Sequence, residues 1–328
     1  MAEKEKMELR AKEKFADPTC NVTFSMLFGK ESCKHLLKSL VNSLLNFTDE
    51  DEITSIRIKN STLIKDTIHT STPIVDILCE TKNNREIAVE MQKFNKNYFL
   101  PRTQIYASSI LANQMPKGES NRYDELIKDT YVLSICKENV FLDKYQLIEG
   151  EDLIFEKTVR PYIEELKKPM PKNKMYWKFY ELPRFAKAIE PSGIKKDMKY
   201  QWLNFLVKCG ISKEIPNNIN DLIKEAYEIM RTANWDRKTH KLYMMEKWDL
   251  AFQEQEKAEI KAEGKTEGIQ EGIEKGIEKG IEKGIEKGIE KGKEVVARNM
   301  LLEGDSNEKI ARITGLTIQE VQNLRKNI

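Results

Sequence analysis

Pro73-Ile74-Val75-Asp76-Ile77-Leu78-Cys79 and Glu86-Ile87-Ala88-Val89-Glu90-Met91-Gln92-Lys93-Phe94 are two apolar runs, each with an acid inside it. Thr81-Lys82-Asn83-Asn84-Arg85 between them is a turn signal, so the pair reads as two antiparallel strands. The first run is apolar on both faces, as a central strand would be. The second alternates: Glu90 and Gln92 share one face, and Val89 and Met91 point the other way. A lone buried carboxylate is costly unless a cation or strong donors receive it. One such acid is commonly paired with an arginine. Two on adjacent strands, with Gln92 two residues on, favour a hard-oxygen site for Mg²⁺, with Ca²⁺ and Mn²⁺ as alternatives. Such an ion activates water and neutralises charge on a phosphodiester.

Register decides whether the two acids meet, because a one-residue slip turns a whole strand over. A two-residue turn at Asn83-Asn84 would set Asp76 opposite Met91 and send the acids to opposite faces. An odd turn, Lys82-Asn83-Asn84, sets Asp76 opposite Glu90. The chemistry therefore predicts an odd turn or an equivalent bulge, despite the preference of hairpins for two residues.

Outward from this pair, Asn21–Phe28 places Phe24, Leu27 and Phe28 on one helical face ended by Gly29. Ser32 is a candidate cap for a longer helix carrying Leu36, Leu37, Leu40, Val41, Leu44 and Leu45. Ile53–Ile58 alternates like a strand. Pro101 suits the first turn of a helix reaching about Met115. Tyr131–Cys136 reads as another buried strand and 176–185 as one more. The order of helix, three strands, helix and strand predicts an α/β layered core, and 195–255 reads as a helical layer.

The chain has 328 residues with 55 basic and 53 acidic side chains, so DNA contact must come from local basic groups and not a global excess. Five cysteines without a C-x-x-C pair, and only three histidines, argue against a zinc site and fit a reducing compartment. The charged N-terminus has no apolar signal-peptide core, and no run reaches about 18 apolar residues. A cytoplasmic protein with no membrane partner is expected.

Glycine recurs every fourth residue from Gly264 to Gly292, mostly as Gly-Ile-Glu-Lys. A four-residue period overshoots the helical turn by roughly 40° per repeat, and each interior glycine costs about 1 kcal/mol against alanine. A charged, weakly helical spacer is the simpler reading, and close helix–helix contact through the glycines the sharper one. Ser306–Lys326 reads as two short helices joined around Gly315, with Ile310, Leu316 and Leu324 in their core. Arg325 and Lys326 are candidate DNA contacts, although Glu320 shares their helix; the segment is equally a candidate for homo-oligomerisation. The expected organisation is a solvated arm (1–15), an α/β core (16–190), a helical extension (191–255), a spacer (256–293) and a helix-turn-helix-like tail (294–328).

Asp17-Pro18, Phe24, Phe28-Gly29, Asp76, Glu90-Met91-Gln92, Arg102, Tyr106, Tyr131–Ile135, Glu181-Leu182-Pro183 and the Trp202-Leu203-x-Phe205-Leu206 helix occur in an order that resembles the Rpn family of recombination-promoting nucleases and transposase-like proteins, within the PD-(D/E)XK superfamily. The resemblance covers nearly the whole chain. It implies a restriction-endonuclease-like core and divalent-metal-dependent DNA cleavage linked to recombination or mobile DNA. By position, Asp76 and Glu90 would hold the ion and Gln92 would complete the catalytic set. Gln92 stands where the superfamily usually has lysine; it can orient a water but brings no positive charge. Ser25 replaces a lysine often found after the equivalent of Phe24. Asp17, Arg102 and Tyr106 are candidates for supporting the ligands or contacting phosphate. The alternative is a catalytically weak DNA-binding or assembly protein that retains the fold.

Overall fold

In a computed structural model, residues 14–62, 74–82, 85–114, 123–141, 153–189 and 197–326 are described. Two compact units divide the chain, Met1–Asp249 and Leu250–Ile328.

The first unit is built on a six-stranded mixed sheet with the order β1-β2-β3-β4-β8-β5. These strands are β1 (Ile56–Lys59), β2 (Ile77–Thr81), β3 (Arg85–Gln92), β4 (Asp129–Cys136), β5 (Glu156–Val159) and β8 (Met175–Glu181). β3, β4 and β8 run parallel, while β1, β2 and β5 run antiparallel to their neighbours. A separate two-stranded ribbon pairs β6 (Tyr162–Ile163) with β7 (Lys168–Pro169). The sheet and its flanking helices are those of a restriction-endonuclease-like α/β fold.

A parallel β3–β4 pair needs a crossover, and helix α3 (Phe99–Ala112) lies in that connection. Leu78, Ala88, Val132, Cys136, Trp177 and Phe179 of one sheet face pack against Phe99, Tyr106, Ala107 and Ile110 of α3. Each large side chain buried this way stabilises the layer by about 1.5–3 kcal/mol. Trp177 Nε1 also donates to the Thr103 carbonyl at 3.0 Å, fixing α3 along its axis. Glu90 and Gln92 share this face with Ala88, so they point toward α3.

Helices α1 (Asn21–Phe28), α2 (Lys34–Leu45), α6 (Met198–Lys208) and α7 (Asp221–Met230) form a layer held by edge-to-face rings, among them Phe28–Trp202 and Phe205–Tyr227. The Tyr180 hydroxyl of β8 donates to the Leu44 carbonyl of α2 at 2.6 Å and joins that layer to the sheet. Two shorter helices, α4 (Tyr123–Leu126) and α5 (Leu182–Ile189), flank β4 and follow β8.

The β2–β3 ladder pairs Ile77 with Val89, Leu78 with Ala88, Cys79 with Ile87 and Glu80 with Glu86. One further step at each end sets Thr81 level with Arg85 and Asp76 level with Glu90. The connection is therefore odd, 82–84, as the chemistry required. Thr81 Oγ1 accepts the Arg85 N–H at 3.1 Å and closes it; residues 83–84 themselves lie outside the described set.

Several expectations need correction. Asp76 is not inside a strand: it sits in a bend before β2 and is exposed. The cap of α2 is not Ser32, which lies in a 3₁₀ turn; the N-cap position is Cys33, with no side-chain cap bond. The run 176–185 is strand only to Glu181, where Pro183 in a first turn opens α5. Residues 1–13 of the expected solvated arm lie outside the described residues, and its last residue, Phe15, is fully buried against Tyr227.

Helix α8 (Arg237–Leu302) runs unbroken through the repeat. A Cβ added at any glycine from Gly264 to Gly292 would meet nothing within 4 Å, and the repeat isoleucines are exposed. In the second unit, α9 (Asn307–Thr314) and α10 (Ile318–Arg325) pack on the end of α8 through Ala297, Ile310 and Val321, with Leu316 and Leu324 at the margin. Gly315 takes φ +72 between them, a left-handed conformation that glycine adopts without a steric penalty. Glu320 forms a capping box with Thr317, which accounts for an acid on that helix.

Candidate active site

β3 ends with Glu90-Met91-Gln92, and the bend before β2 returns Asp76 to it. With β2 starting at Ile77, Met91 N–H has no partner on that strand, and Asp76 Oδ2 accepts it at 2.7 Å. The pairing fixes one Asp76 oxygen beside Glu90.

Glu90 is buried, and its Oε1 has no hydrogen-bond partner. Burial first, and then the Asp76 charge, push its carboxyl up to about 8; Arg102, the Tyr106 hydroxyl and the Asp76 N–H act in the opposite direction. Asp76 is raised as well, chiefly because protein crowds its carboxyl, against the Met91 N–H and the charges of Lys93 and Arg102. Two neighbouring acids that both resist ionisation, Glu90 partly because of the Asp76 charge, form a site that a cation relieves.

Helix α3 supplies the wall. Arg102 Nη2 donates to Gln92 Oε1 at 2.8 Å, and its guanidinium lies 5.5 Å from the Phe99 ring centroid and 5.6 Å from that of Tyr106. The Tyr106 hydroxyl donates to the Ile74 carbonyl at 3.1 Å, holding the approach to Asp76. Arg102 and Tyr106, one turn apart, thus both face the acids. Gln92 is more committed than the sequence suggested: its Nε2 donates to the Phe94 carbonyl and its Oε1 is taken by Arg102. In this arrangement it holds an arginine.

Asp17 behaves as a turn residue. Its Oδ1 accepts from Thr19 N at 2.9 Å and Thr19 Oγ1 at 2.6 Å, and its Oδ2 accepts from Lys137 at 2.8 Å. Burial pulls its carboxyl up, but Lys137 and the Thr19 bonds outweigh that and leave it below the usual range. Ser25 is exposed on α1. In the tail, Arg325 Nη2 donates to the Asp305 carbonyl at 2.7 Å, and Lys326 caps α10.

Two residues near the acids escaped the sequence reading. Lys93 follows Gln92 directly, but strand alternation assigns it to the opposite face. Glu246, which pairs with Lys93, is 153 residues away, and nothing local in the sequence links them.

The donor set suits a hard divalent ion. Two carboxylates are present, one with an unpartnered buried oxygen, and Mg²⁺ is commonly held by one or two carboxylates with water and substrate completing its shell. Among the described residues no group of three or more His, Cys, Asp or Glu is placed to hold a metal, so a caged structural ion is not what this site offers. A cleft of about 480 Å³ lined by Arg57, Lys59, Glu86 and Gln114 does not include the acids. Among the described residues, no helix is long and apolar enough to cross a membrane.

No curated protein and no solved structure matches the chain. A family model does: that of the PD-(D/E)XK nuclease family transposase matches residues 18–255, most of the chain, with Asp76, Glu90, Gln92, Lys93, Arg102, Tyr106 and Glu246 inside the match and Asp17 just before it. The chain belongs to the PD-(D/E)XK nuclease family transposases.

Proposed function

We propose that the protein is a divalent-metal-dependent DNA endonuclease acting in recombination or mobile-DNA processing. The observation that carries this reading is the buried, unpartnered Glu90 Oε1 beside Asp76 at the end of β3. Asp76, Glu90 and the Met91 carbonyl would hold one ion, with Mg²⁺ the first candidate. When bound, that ion supplies positive charge to the scissile phosphodiester and makes water acidic enough to attack in line. The chain's own groups do the rest. Arg102, aligned by Gln92, favours the ionised form of both acids against their burial. Tyr106 fixes the Glu90 rotamer. Arg325 and Lys326 at the end of α10 are candidates for further DNA contact, and the second unit for assembly between copies of the chain.

The test is calorimetric titration of the full chain with Mg²⁺, Mn²⁺ and Ca²⁺. One ion per chain is expected for the wild type, with binding weakened at least about 10–100-fold in Glu90→Gln. Equal binding by both proteins would overturn the assignment.

A further inference from the structure

A phosphodiester brought to Asp76 and Glu90 meets two carboxylates. The nearby guanidinium of Arg102 is already engaged with Gln92 and stacked on aromatic rings. Ser25 and Gln92 bring no charge. The site as described is short of a cation that can move to the substrate.

Lys93 is the first residue after β3. It lies three residues beyond Glu90, roughly 10 Å along an extended chain. Its Nζ pairs with Glu246 near the start of α8, and the two side chains are 12% and 13% exposed. The pair borders the site, since Lys93 lowers and Glu246 raises the Asp76 pKa.

The two partners do not depend on each other equally. The Glu246 carboxylate also accepts the backbone N–H groups of Asn21 at 2.6 Å and Val22 at 2.9 Å, the first of helix α1. An anion at a helix N-terminus with two charge-assisted bonds is already well placed. Breaking a buried ion pair ordinarily strands the remaining charge. Here Glu246 keeps its α1 partners if Lys93 leaves, and Lys93, the more mobile group on a flexible stem, can take a new anion.

We propose that Lys93 is a phosphate-contacting residue of this site, held by Glu246 in the free protein and passed to the DNA backbone when a duplex docks. Glu246 then remains as the cap of α1, so the exchange leaves no carboxylate unpaired. The location rests on the nuclease reading, but phosphate binding requires no cleavage and is measured separately from it.

The experiment is fluorescence anisotropy of a short labelled duplex with the full chain in Ca²⁺, from 50 to 200 mM salt. Wild type is compared with Lys93→Gln, Lys93→Arg and Glu246→Gln, and thermal melting by circular dichroism follows each fold. Loss of one phosphate contact lowers the slope of log affinity against log salt by about 0.9. In Lys93→Gln the affinity lost across that salt range should therefore shrink by about 3.5-fold relative to wild type. Lys93→Arg should keep the wild-type slope. Glu246→Gln, which keeps one acceptor oxygen for the α1 N–H groups, should bind DNA more tightly because Lys93 is released. An unchanged slope in Lys93→Gln, with both charge-removing variants merely melting lower, would show the pair to be a clamp and overturn the proposal. Absence of DNA binding by the wild type would overturn it too. A Lys93-dependent slope in a protein that cleaves nothing would uphold the proposal and defeat the nuclease reading alone.

Discussion

Replacing Glu90 by glutamine tests the electrostatics of the site without changing its shape. In the unfolded chain this carboxyl ionises near 4.5, and in the fold near 8. Between those values the folded chain holds a proton that the unfolded chain has released. Stability of the metal-free protein therefore falls as pH rises from about 4.5 and levels off above about 8. At about 1.4 kcal/mol per pH unit the whole effect is roughly 5 kcal/mol, an order-of-magnitude figure but a large share of a domain's stability. Glu90→Gln keeps a side chain that the Tyr106 hydroxyl can reach and carries no ionisable group. Urea unfolding in EDTA at pH 5 to 9 should show the wild type losing stability relative to the variant across that window, with Glu90→Gln the more stable protein above pH 8. Adding the ion should reverse the order for the wild type only, with an affinity that climbs about tenfold per pH unit up to pH 8 as one proton is released. Parallel stability curves for the two proteins would refute the buried, proton-holding Glu90 and the cation site built on it.

Other outcomes follow from the same contacts. Arg102→Ala leaves Gln92 Oε1 without its donor and removes the stacking on Phe99 and Tyr106, so unfolding should show a loss of about 2–3 kcal/mol and a Glu90 titration moved still higher. Glu181→Ala should cost about 3–5 kcal/mol in chemical denaturation. That fully buried carboxylate accepts Val140 N–H at 2.7 Å, Phe141 N–H at 2.9 Å and Lys157 at 2.5 Å, and forms an ion pair with Arg184 at 2.9 Å. Limited proteolysis should cut first within 264–292, read by mass spectrometry of the fragments. Glycines there weaken the helix by about 1 kcal/mol each, like charges recur at i and i+4, and the glycine stripe meets no other side chain; a resistant repeat would argue for an ordered association of helices.

The sequence made the centre of this fold legible and its edges obscure, for physical reasons. β3 and β4 are buried on both sides, so their apolar runs and the alternation around Glu90 reported strand and facing together. The requirement that Asp76 and Glu90 meet even predicted the odd connection. β5, β6 and β7 left no such trace, because they are short and largely exposed, and burial did not select their residues. Asp76 reads as a strand residue because apolar residues flank it on both sides; in the structure it sits in a bend whose carboxylate bonds Met91, fifteen residues on, a contact that no local pattern encodes. Arg102 and Tyr106 were visible as one helical face, whereas their target was not. Lys93 was in plain view, but its partner Glu246 arrives on a helix whose placement no local pattern encodes. Cys79 and Cys136, set in the apolar runs of β2 and β4, are both fully enclosed.

Nicking of a supercoiled plasmid by the full chain, run with Mg²⁺, Mn²⁺ and Ca²⁺ and compared with Asp76→Ala, bears most directly on the central claim. Asp76 lies outside the sheet ladder, so the substitution removes a ligand and the acceptor of the Met91 N–H while leaving the paired strands in place. The account predicts metal-dependent nicking by the wild type, abolished by EDTA and reduced at least about 100-fold in an Asp76→Ala protein that still folds cooperatively, with a melting temperature lowered only by the lost Met91 N–H bond. Nicking at the wild-type rate by a folded Asp76→Ala protein would contradict it.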